Sequence, residues 1–225
     1  MNTLFTGFKR TTIAISMGIM LSGCVIHVGA DAHDWDSDDH EVSSVFGDVS
    51  VSAGKQVSEV SSVNGDVELH DRVEAERASS VNGDIEIGER VSVGSIDVVN
   101  GDIEAGEHFS NQHGIESVNG DIQIAAHGVI NGMIKTVNGD IELNESAVNN
   151  DIITINGDIH LQRGTSVSGD IIYERNNSRQ WDNDRPTLRI DADSTVGGNI
   201  VLHRPVKLEF ADPQLHDKVI KHFGE

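Results

Sequence analysis

Several residue types that often determine a fold are scarce in this 225-residue chain. It contains one cysteine, which excludes the class of domains stapled by internal disulfides. Aromatic residues make up 4% of the chain, which argues against an aromatic platform for stacking sugars. Lys and Arg number 16 against 37 Asp and Glu, so the formal net charge is −21. Such an acidic surface repels phosphate and attracts cations or basic partners, which excludes nucleic-acid binding.

The single cysteine, Cys24, ends an N-terminal segment with the features of an export signal. Lys9-Arg10 forms a positive start, and residues 11–22 form an apolar run too short to span a bilayer comfortably. The ending Leu21-Ser22-Gly23-Cys24 resembles the lipobox of bacterial lipoproteins. That resemblance implies removal of residues 1–23 and acylation of Cys24, which gives stable membrane anchoring. An ordinary signal peptide that leaves a free thiol is the alternative.

The residues after Cys24 indicate where the protein is anchored and how it is attached. Val25 stands where Asp would resemble an inner-membrane retention signal, so we expect the outer membrane, on its periplasmic or surface face. The leader holds two basic and no acidic residues, so the mature net charge is −21 − 2 = −23. Residues 24–41 are polar and acidic and predict a tether. His33 and His40 within it could hold a metal loosely, but a solvated linker is preferred because no coordination geometry is imposed there.

One phrase, Val-Asn-Gly-Asp followed by an aliphatic residue, usually Glu, and another aliphatic residue, recurs along most of the remaining chain. Its glycines are spaced by 18, 18, 18, 19, 19 and 18 residues, at Gly47, Gly65, Gly83, Gly101, Gly120, Gly139 and Gly157. A short repeat of nearly constant length predicts a solenoid in which each unit is one coil stacked on the last. Such proteins offer long surfaces rather than single deep pockets.

Eighteen residues divide into three groups of six, and the aliphatic residues follow that division. The phrase valines, such as Val63, Val81 and Val99, belong to the six-residue series, which predicts that they face the core. The Ile-Glu-Ile alternation predicts a short strand with one buried face. Three such strands per coil predict an all-β, single-stranded parallel β-helix over residues 42–211, with about 18 residues per coil.

Two alternatives concern how the chain turns at the phrase. Asn-Gly between apolar residues is also the strongest short hairpin signal. In a two-residue hairpin Val81 would face Asp84 and Ser80 would face Ile85, so neither strand face would be apolar. A corner with glycine at positive φ is therefore preferred. Six-residue spacing is typical of left-handed coils, but the insertions and stacked asparagines favour a right-handed coil, which is our prediction.

The C-terminal part is less regular. Asp170, in Val-Ser-Gly-Asp, follows Asp158 by 12 residues and is expected on a different face. Residues 175–186 are polar and predict a loop. Asp212-Pro213 is typical of an N-cap and first helical residue. Apolar residues follow at helical spacing, so residues 212–225 are predicted to form a short amphipathic helix that caps the open end.

Stacked coils would place equivalent residues about 4.8 Å apart and so create ladders of side chains. The asparagines are predicted to form a structural ladder of hydrogen-bonded amides: Asn64, Asn82, Asn100, Asn119, Asn138 and Asn156. The aspartates form a second ladder: Asp48, Asp66, Asp84, Asp102, Asp121, Asp140 and Asp158. Two roles stay open for it, namely acceptance of turn amides, as in Asx-turns, which is preferred, and bridging by Ca²⁺. A solvated acidic row is expected at Glu68, Glu86, Glu104 and Glu142.

No catalytic motif accompanies the repeat, since a nucleophile elbow, an HExxH sequence and a P-loop are all missing. We therefore predict a non-enzymatic protein without a cofactor, apart from the Ca²⁺ alternative. A polysaccharide lyase or hydrolase of the β-helix type, with carboxylates near residues 176–185, is the competing hypothesis.

The repeated phrase, over residues 42–173, resembles the bacterial adhesin-type β-helix family of surface and periplasmic proteins. The segment Val196-Gly197-Gly198-Asn199-Ile200 resembles bactofilins, polymer-forming cytoskeletal β-helices, although export and lipidation depart from their cytoplasmic setting. We expect a lipid-anchored envelope protein with a binding, adhesion or scaffolding role. Its expected partners are the membrane and an envelope protein or polysaccharide, and it is expected to be a monomer or an end-to-end oligomer.

Overall fold

The computed structural model describes residues 26–28, 41–176 and 185–223, and it confirms an all-β parallel solenoid. Its strands, in chain order, are β1 (Ile26–Val28), β2 (Glu41–Ser44), β3 (Val49–Val51), β4 (Gln56–Asn64), β5 (Val67–Leu69), β6 (Glu74–Asn82), β7 (Ile85–Ile87), β8 (Ser92–Asn100), β9 (Ile103–Ala105), β10 (Ser110–Asn119), β11 (Ile122–Ile124), β12 (Val129–Ile130), β13 (Met133–Lys135), β14 (Ile141–Asn144), β15 (Ala147–Val148), β16 (Ile152–Thr154), β17 (Ile159–Gln162), β18 (Ser166–Val167), β19 (Ile171–Tyr173), β20 (Thr187–Ile190), β21 (Thr195–Val196), β22 (Ile200–Leu202), β23 (Lys207–Phe210) and β24 (Val219–Lys221). These strands pair in parallel, mostly with partners 18 or 19 residues apart, so the hairpin alternative is wrong.

The strands form two long sheets and a shorter third side. Sheet A runs in the order β1-β3-β5-β7-β9-β11-β14-β17-β20-β23. Sheet B runs in the order β2-β4-β6-β8-β10-β13-β16-β19-β22-β24. Side C is the stack β12-β15-β18-β21, which is joined to sheet B through β10. The aliphatic core lies between these faces.

The three-residue strands of sheet A follow directly from the Ile-Glu-Ile alternation. In β7, Ile85 and Ile87 are buried and Glu86 is exposed. Strand alternation turns both isoleucines inward, where they stack on the equivalent residues of the neighbouring coils. The confirmed repeat length is therefore a consequence of each coil covering the apolar residues of the coil before it.

Sheet B and side C begin as one bent strand and become two. In β4, Val57 and Val60 both face inward although they are three residues apart, so the strand bends between them. In β10, Asn111 pairs with Val93 but Gly114 pairs with Ser95, which is a register shift of one residue. The next coil has two separate strands, β12 and β13, at this place. Three sides per coil, as predicted, are thus present only from this point onward.

The predicted inward orientation of the phrase valines is wrong. In β6, Ala78 and Ser80 are buried, whereas Ser79 and Val81 lie on the outer face. Alternation within the strand continues up to the corner, so the inward position falls one residue before the valine. In successive coils that position is held by Ser62, Ser80, Val98, Ser117, Thr136, Thr154 and Tyr173.

The last coil contains a shorter helix than predicted. A 3₁₀ helix spans Pro213–Lys218, and the Asp212 side chain accepts a hydrogen bond from the Gln214 amide at 2.9 Å, as expected of an N-cap. Val219–Lys221 form β24 instead of continuing the helix, because the edge of β22 offers hydrogen-bond partners to these residues, two of them β-branched. The helix takes the place of a side C strand, and Lys218 Nζ donates to the carbonyls of Val196 and Gly197 at the end of β21.

The remaining predicted boundaries relate to the strands as follows. Residues 26–28, inside the predicted tether, form β1 and pair with β3. Cys24, His33 and His40 lie outside the described residues. The predicted loop, 175–186, lies between β19 and β20, and its residues 177–184 are also outside the described part. The handedness of the coil stays a prediction.

Candidate functional site

The repeated phrase forms the corner between sheet B and sheet A. Its glycines have φ values of 149–158° from Gly65 to Gly139. A Cβ atom added at Gly101 would overlap the carbonyl oxygen of Gly83 in the preceding coil. The corner therefore lets backbones of neighbouring coils approach more closely than any side chain would allow.

The six predicted asparagines form one continuous ladder along this corner. Each Nδ2, from Asn82 to Asn156, donates to the Oδ1 of the asparagine one coil earlier at 2.8–3.1 Å. The ladder is one step longer than predicted, because Asn176 donates to Asn156 Oδ1 at 2.9 Å. Arg204 Nη1 also donates to that Oδ1 atom and to the Ile155 carbonyl. Neither Asn176 nor Arg204 lies in a copy of the phrase, so the repeat gave no signal for them.

The aspartates join neighbouring coils in a different way. The backbone amide of each aspartate, from Asp66 to Asp158, donates to the Oδ1 of the aspartate one coil earlier at 2.7–3.0 Å. The Thr187 amide continues the series to Asp158 at 2.7 Å. These carboxylates do accept amides, but from the next coil and not from their own turn. The comparison with Asx-turns is therefore wrong, and the ladder acts as a clamp between coils.

The electrostatics of the aspartate ladder are dominated by burial and by like charges. Burial raises the pKa of Asp140; the amide of Asp158 opposes this rise, and the charges of Asp158 and Asp121 add to it. Among the described residues, no group of three or more His, Cys, Asp or Glu side chains is arranged to hold a metal ion. The Ca²⁺ role of this ladder stays a prediction.

The outer face of sheet A carries the expected acidic row. Glu68, Glu86 and Glu104 are aligned on neighbouring strands, Gln123 interrupts the row, and Glu142 resumes it. These side chains face solvent between the buried aliphatic residues of each strand. They provide a flat, negatively charged surface with regular spacing.

One cluster on this face brings together a serine, a histidine and a carboxylate that sequence spacing did not single out. Ser50 Oγ lies 3.1 Å from His70 Nε2 and 3.3 Å from Glu68 Oε2, and His70 Nδ1 lies 3.6 Å from Glu68 Oε1. Ser50 is only 6% exposed and lies within β3, which is paired on both sides. Amides engaged in sheet pairing cannot stabilise an oxyanion, so we assign the cluster a structural role.

Two shorter ladders at the corner between side C and sheet B were not predicted. In one, Asn131 donates to Gln112 and Asn149 donates to Asn131, at 3.0 and 2.8 Å. In the other, the amide of Asp170 donates to Asp151 at 2.8 Å, and that of Asn199 donates to Asp170 at 2.7 Å. Asp170 thus lies at a different corner from Asp158, as its spacing predicted.

Comparison with known proteins finds no matching family model, no matching curated protein and no matching solved structure. Within the described residues, no helix is long and apolar enough to cross a membrane. The resemblance to the adhesin-type family therefore stays a prediction.

Proposed function

We propose that this chain is a lipid-anchored protein of the bacterial cell envelope whose β-solenoid binds partners without catalysing a reaction. Acyl chains on Cys24 would hold it at the outer membrane, and its faces would be presented to an envelope protein or a polysaccharide. The lipobox-like sequence that ends at Cys24 supports the anchor. Two or three acyl chains are enough for stable attachment, whereas one would be marginal.

The observation that carries the proposal is the pairing of β1 with β3. Strand β1 begins two residues after Cys24, and its backbone forms the first strand of sheet A. A lipid on Cys24 would therefore lie against the first coil, with one residue between them. Ten strands at about 4.8 Å spacing would then extend roughly 43 Å from the anchored end.

A binding role agrees with how the polar residues are used. The asparagine and aspartate ladders spend their amides and carboxylates on hydrogen bonds between coils, as in the pairs Asn100–Asn82 and Asp102–Asp84. The glutamate row on sheet A, by contrast, faces solvent. A regular acidic surface attracts cations and basic segments of a partner.

Mass spectrometry of the mature N terminus tests the anchor. We expect an N-terminal Cys24 that carries acyl chains, in a protein that fractionates with the membrane. Cys24→Ser should leave an uncleaved and unacylated precursor, whereas Ser22→Ala, which keeps a small residue before the cleavage site, should be processed normally. An unmodified Cys24 in the native protein would refute the proposed anchor.

A polymer-forming scaffold is a second candidate, favoured by the C-terminal ends of sheets A and B. Within the described residues no strand covers β23 or β24. Leu208 and Phe210 of β23 are half-buried, whereas Leu188 and Ile190 at the same positions one coil earlier are fully buried. Light scattering of the detergent-solubilised chain tests this candidate. Species larger than a dimer that disappear in Leu208→Asp would support it, and their absence from the wild-type protein would contradict it.

A further inference from the structure

The outer face of sheet B carries two adjacent rows of aliphatic side chains, which we call the outer strip. The first row precedes the asparagine ladder and consists of Val63, Val81, Val99, Val118, Val137 and Ile155. The second row lies two residues earlier in the later coils and consists of Ile153, Ile172, Val201 and Ile220. All ten side chains are half-buried or exposed, and Val118 and Ile220 are 39% and 41% exposed.

The sheet itself does not require this apolar composition. In the earlier coils the positions of the second row hold Ser61, Ser79, Asp97 and Glu116. Packing between cross-strand neighbours accounts for a single row of β-branched residues. It does not account for two neighbouring rows that both face solvent, and a contiguous apolar patch of this kind marks an interaction surface.

The dimensions of the outer strip limit what it can bind by itself. From β4 to β24 sheet B has nine strands, so the strip is about 38 Å long at about 4.8 Å per step. With a width of about 10 Å for two rows, it offers roughly 400 Å². A stable protein interface buries about 800 Å² on each partner. The strip alone therefore supports only a weak association, which confinement to a membrane would strengthen through the effective concentration.

Charge restricts the partner. Two copies with a net charge of −21 repel each other wherever carboxylates face outward, as Glu86 and Glu104 do on sheet A. The outer strip is uncharged, and the neighbouring outward positions bring Lys135 beside Glu116. It is therefore a face on which a second copy can approach without strong repulsion.

We propose that the outer strip binds the outer strip of a second copy, with the two solenoids side by side and their axes parallel. A two-fold axis along the solenoid direction brings each strip residue near the same residue of the other copy. It also leaves both N termini at the same end, as attachment to one membrane requires. The parallel orientation rests on the proposed lipid anchor.

Cysteine cross-linking in intact cells tests this arrangement, because an acylated Cys24 leaves an introduced cysteine as the only free thiol. Val137→Cys and Val63→Cys should each give a dimer band with a short bis-maleimide that spans the roughly 10 Å between packed sheets. Glu86→Cys, on sheet A, is the matched control and should give none. Adding Ile172→Lys to Val137→Cys should lower the cross-linked fraction at least tenfold, with an unchanged thermal melt because Ile172 faces outward.

Each other outcome overturns a defined part of the proposal. A dimer band from Val137→Cys but not from Val63→Cys would contradict the parallel orientation. No band from Val137→Cys, or equal bands from Val137→Cys and Glu86→Cys, would remove the outer strip as the interface. Protection of Val137→Cys from a charged maleimide without a dimer band would assign the strip to the lipid surface instead. The mass of the mature N terminus reports on the anchor separately, so failure of the dimer and failure of the anchor are distinguishable.

Discussion

At the scale of single residues, two kinds of positive φ occur in each coil, and only one of them requires glycine. In the turn after each sheet A strand, Arg72, Arg90 and His108 have φ values of 57–60°. Residues other than glycine can adopt this left-handed region at modest cost. At the corner, Gly101 lies against the carbonyl of Gly83, where any Cβ would overlap it. Contact with the neighbouring coil, and not φ alone, is what makes the corner glycine necessary.

This difference predicts opposite outcomes for two glycine substitutions. Gly101→Val should lower the free energy of unfolding by about 2 kcal/mol or more, because both the strained φ and the overlap must be relieved. Gly54→Arg is the control, since Gly54 has a φ of 71°, lies at the position of Arg72 in the next coil and has nothing within 4 Å of an added Cβ. It should change stability by less than about 0.5 kcal/mol. Urea unfolding measures both, and equal losses would contradict the proposed role of the corner.

The raised pKa of Asp140 predicts how stability depends on pH. Burial is the main cause of the rise, so the folded protein holds this proton more tightly than the unfolded chain does. The free energy of unfolding contributed by this group therefore falls as the pH increases from the ordinary pKa of 3.8 through the raised pKa. At neutral pH the ionised carboxylate opposes folding.

Asp140→Asn should therefore stabilise the protein at neutral pH. The amide keeps an Oδ1 acceptor for the Asp158 backbone amide while the charge is removed. The gain should be below about 1 kcal/mol, because the side chain is largely exposed and its charges are screened. It should vanish below pH 3.8, where the carboxyl is protonated in both states. Urea unfolding at both pH values measures it, and an equal gain from Glu86→Gln would show that net charge alone is responsible.

At the scale of strands and turns, local alternation was predictable and register was not. The Ile-Glu-Ile strands of sheet A are short enough that their pattern determines which side chains are buried. In sheet B, a count of six residues placed Val81 inside, but alternation in β6 buries Ser80 instead. The buried Ser80 hydroxyl bonds to the Gly65 carbonyl at 3.4 Å, a contact across the corner that spacing alone does not reveal.

The register shift in β10 depends on one buried side chain. The Asn111 Nδ2 donates to the carbonyls of Val93, Gly94 and Gly114 at 3.1–3.3 Å, and its Oδ1 accepts from the Gly114 amide at 2.7 Å. This side chain satisfies the backbone groups that the extra residue removes from the sheet. Composition gave no reason to distinguish Asn111 from the exposed asparagines.

Asn111→Leu should lower the free energy of unfolding by about 3 kcal/mol or more, because several buried backbone groups would lose their partner. Asn149→Leu, at the exposed end of the second asparagine ladder, should cost less than about 1 kcal/mol. Thermal and urea unfolding of the two variants measure this difference. Similar losses at both positions would show that the Asn111 contacts do not support the shifted register.

The final coil shows where a local pattern yields to the sheet. Leu215, Val219 and Phe223 lie at helical spacing, and this predicted one helix to the end of the chain. Only Leu215 lies in the 3₁₀ helix, while Val219 joins β24. A free strand edge on β22 supplies hydrogen bonds that a short isolated helix cannot match.

At the scale of the whole molecule, the architecture was predictable because each coil contacts mainly its neighbours. One period, read from the glycines, therefore specified the stack from β2 to β19. The outer strip and the attachment of β1 were not predictable, because both depend on which residues face outward and on pairing with a distant strand. These two features determine how the solenoid can be displayed and what can bind beside it.

The whole molecule also decides how cations act on the aspartate ladder. Ca²⁺ takes six to eight oxygen ligands at about 2.3–2.6 Å. In each ladder carboxylate, such as Asp102, one oxygen already accepts the amide of the next coil. Only one oxygen per step, at about 4.8 Å spacing, is left to bridge coils. The chain's net charge of −21 nevertheless creates a field that mobile cations screen.

We therefore expect Ca²⁺ and Na⁺ at equal ionic strength to raise the melting temperature by the same small amount. Screening depends on ionic strength, whereas chelation by the folded state alone would add RT ln(1 + [L]/Kd) for Ca²⁺ only. Thermal melts of the wild-type protein and of Asp102→Asn, which keeps an acceptor for the Asp121 amide, measure the difference. A rise of several degrees specific to Ca²⁺ that Asp102→Asn abolishes would contradict screening, and it would make the clamp between coils a metal site on which binding to a partner could depend.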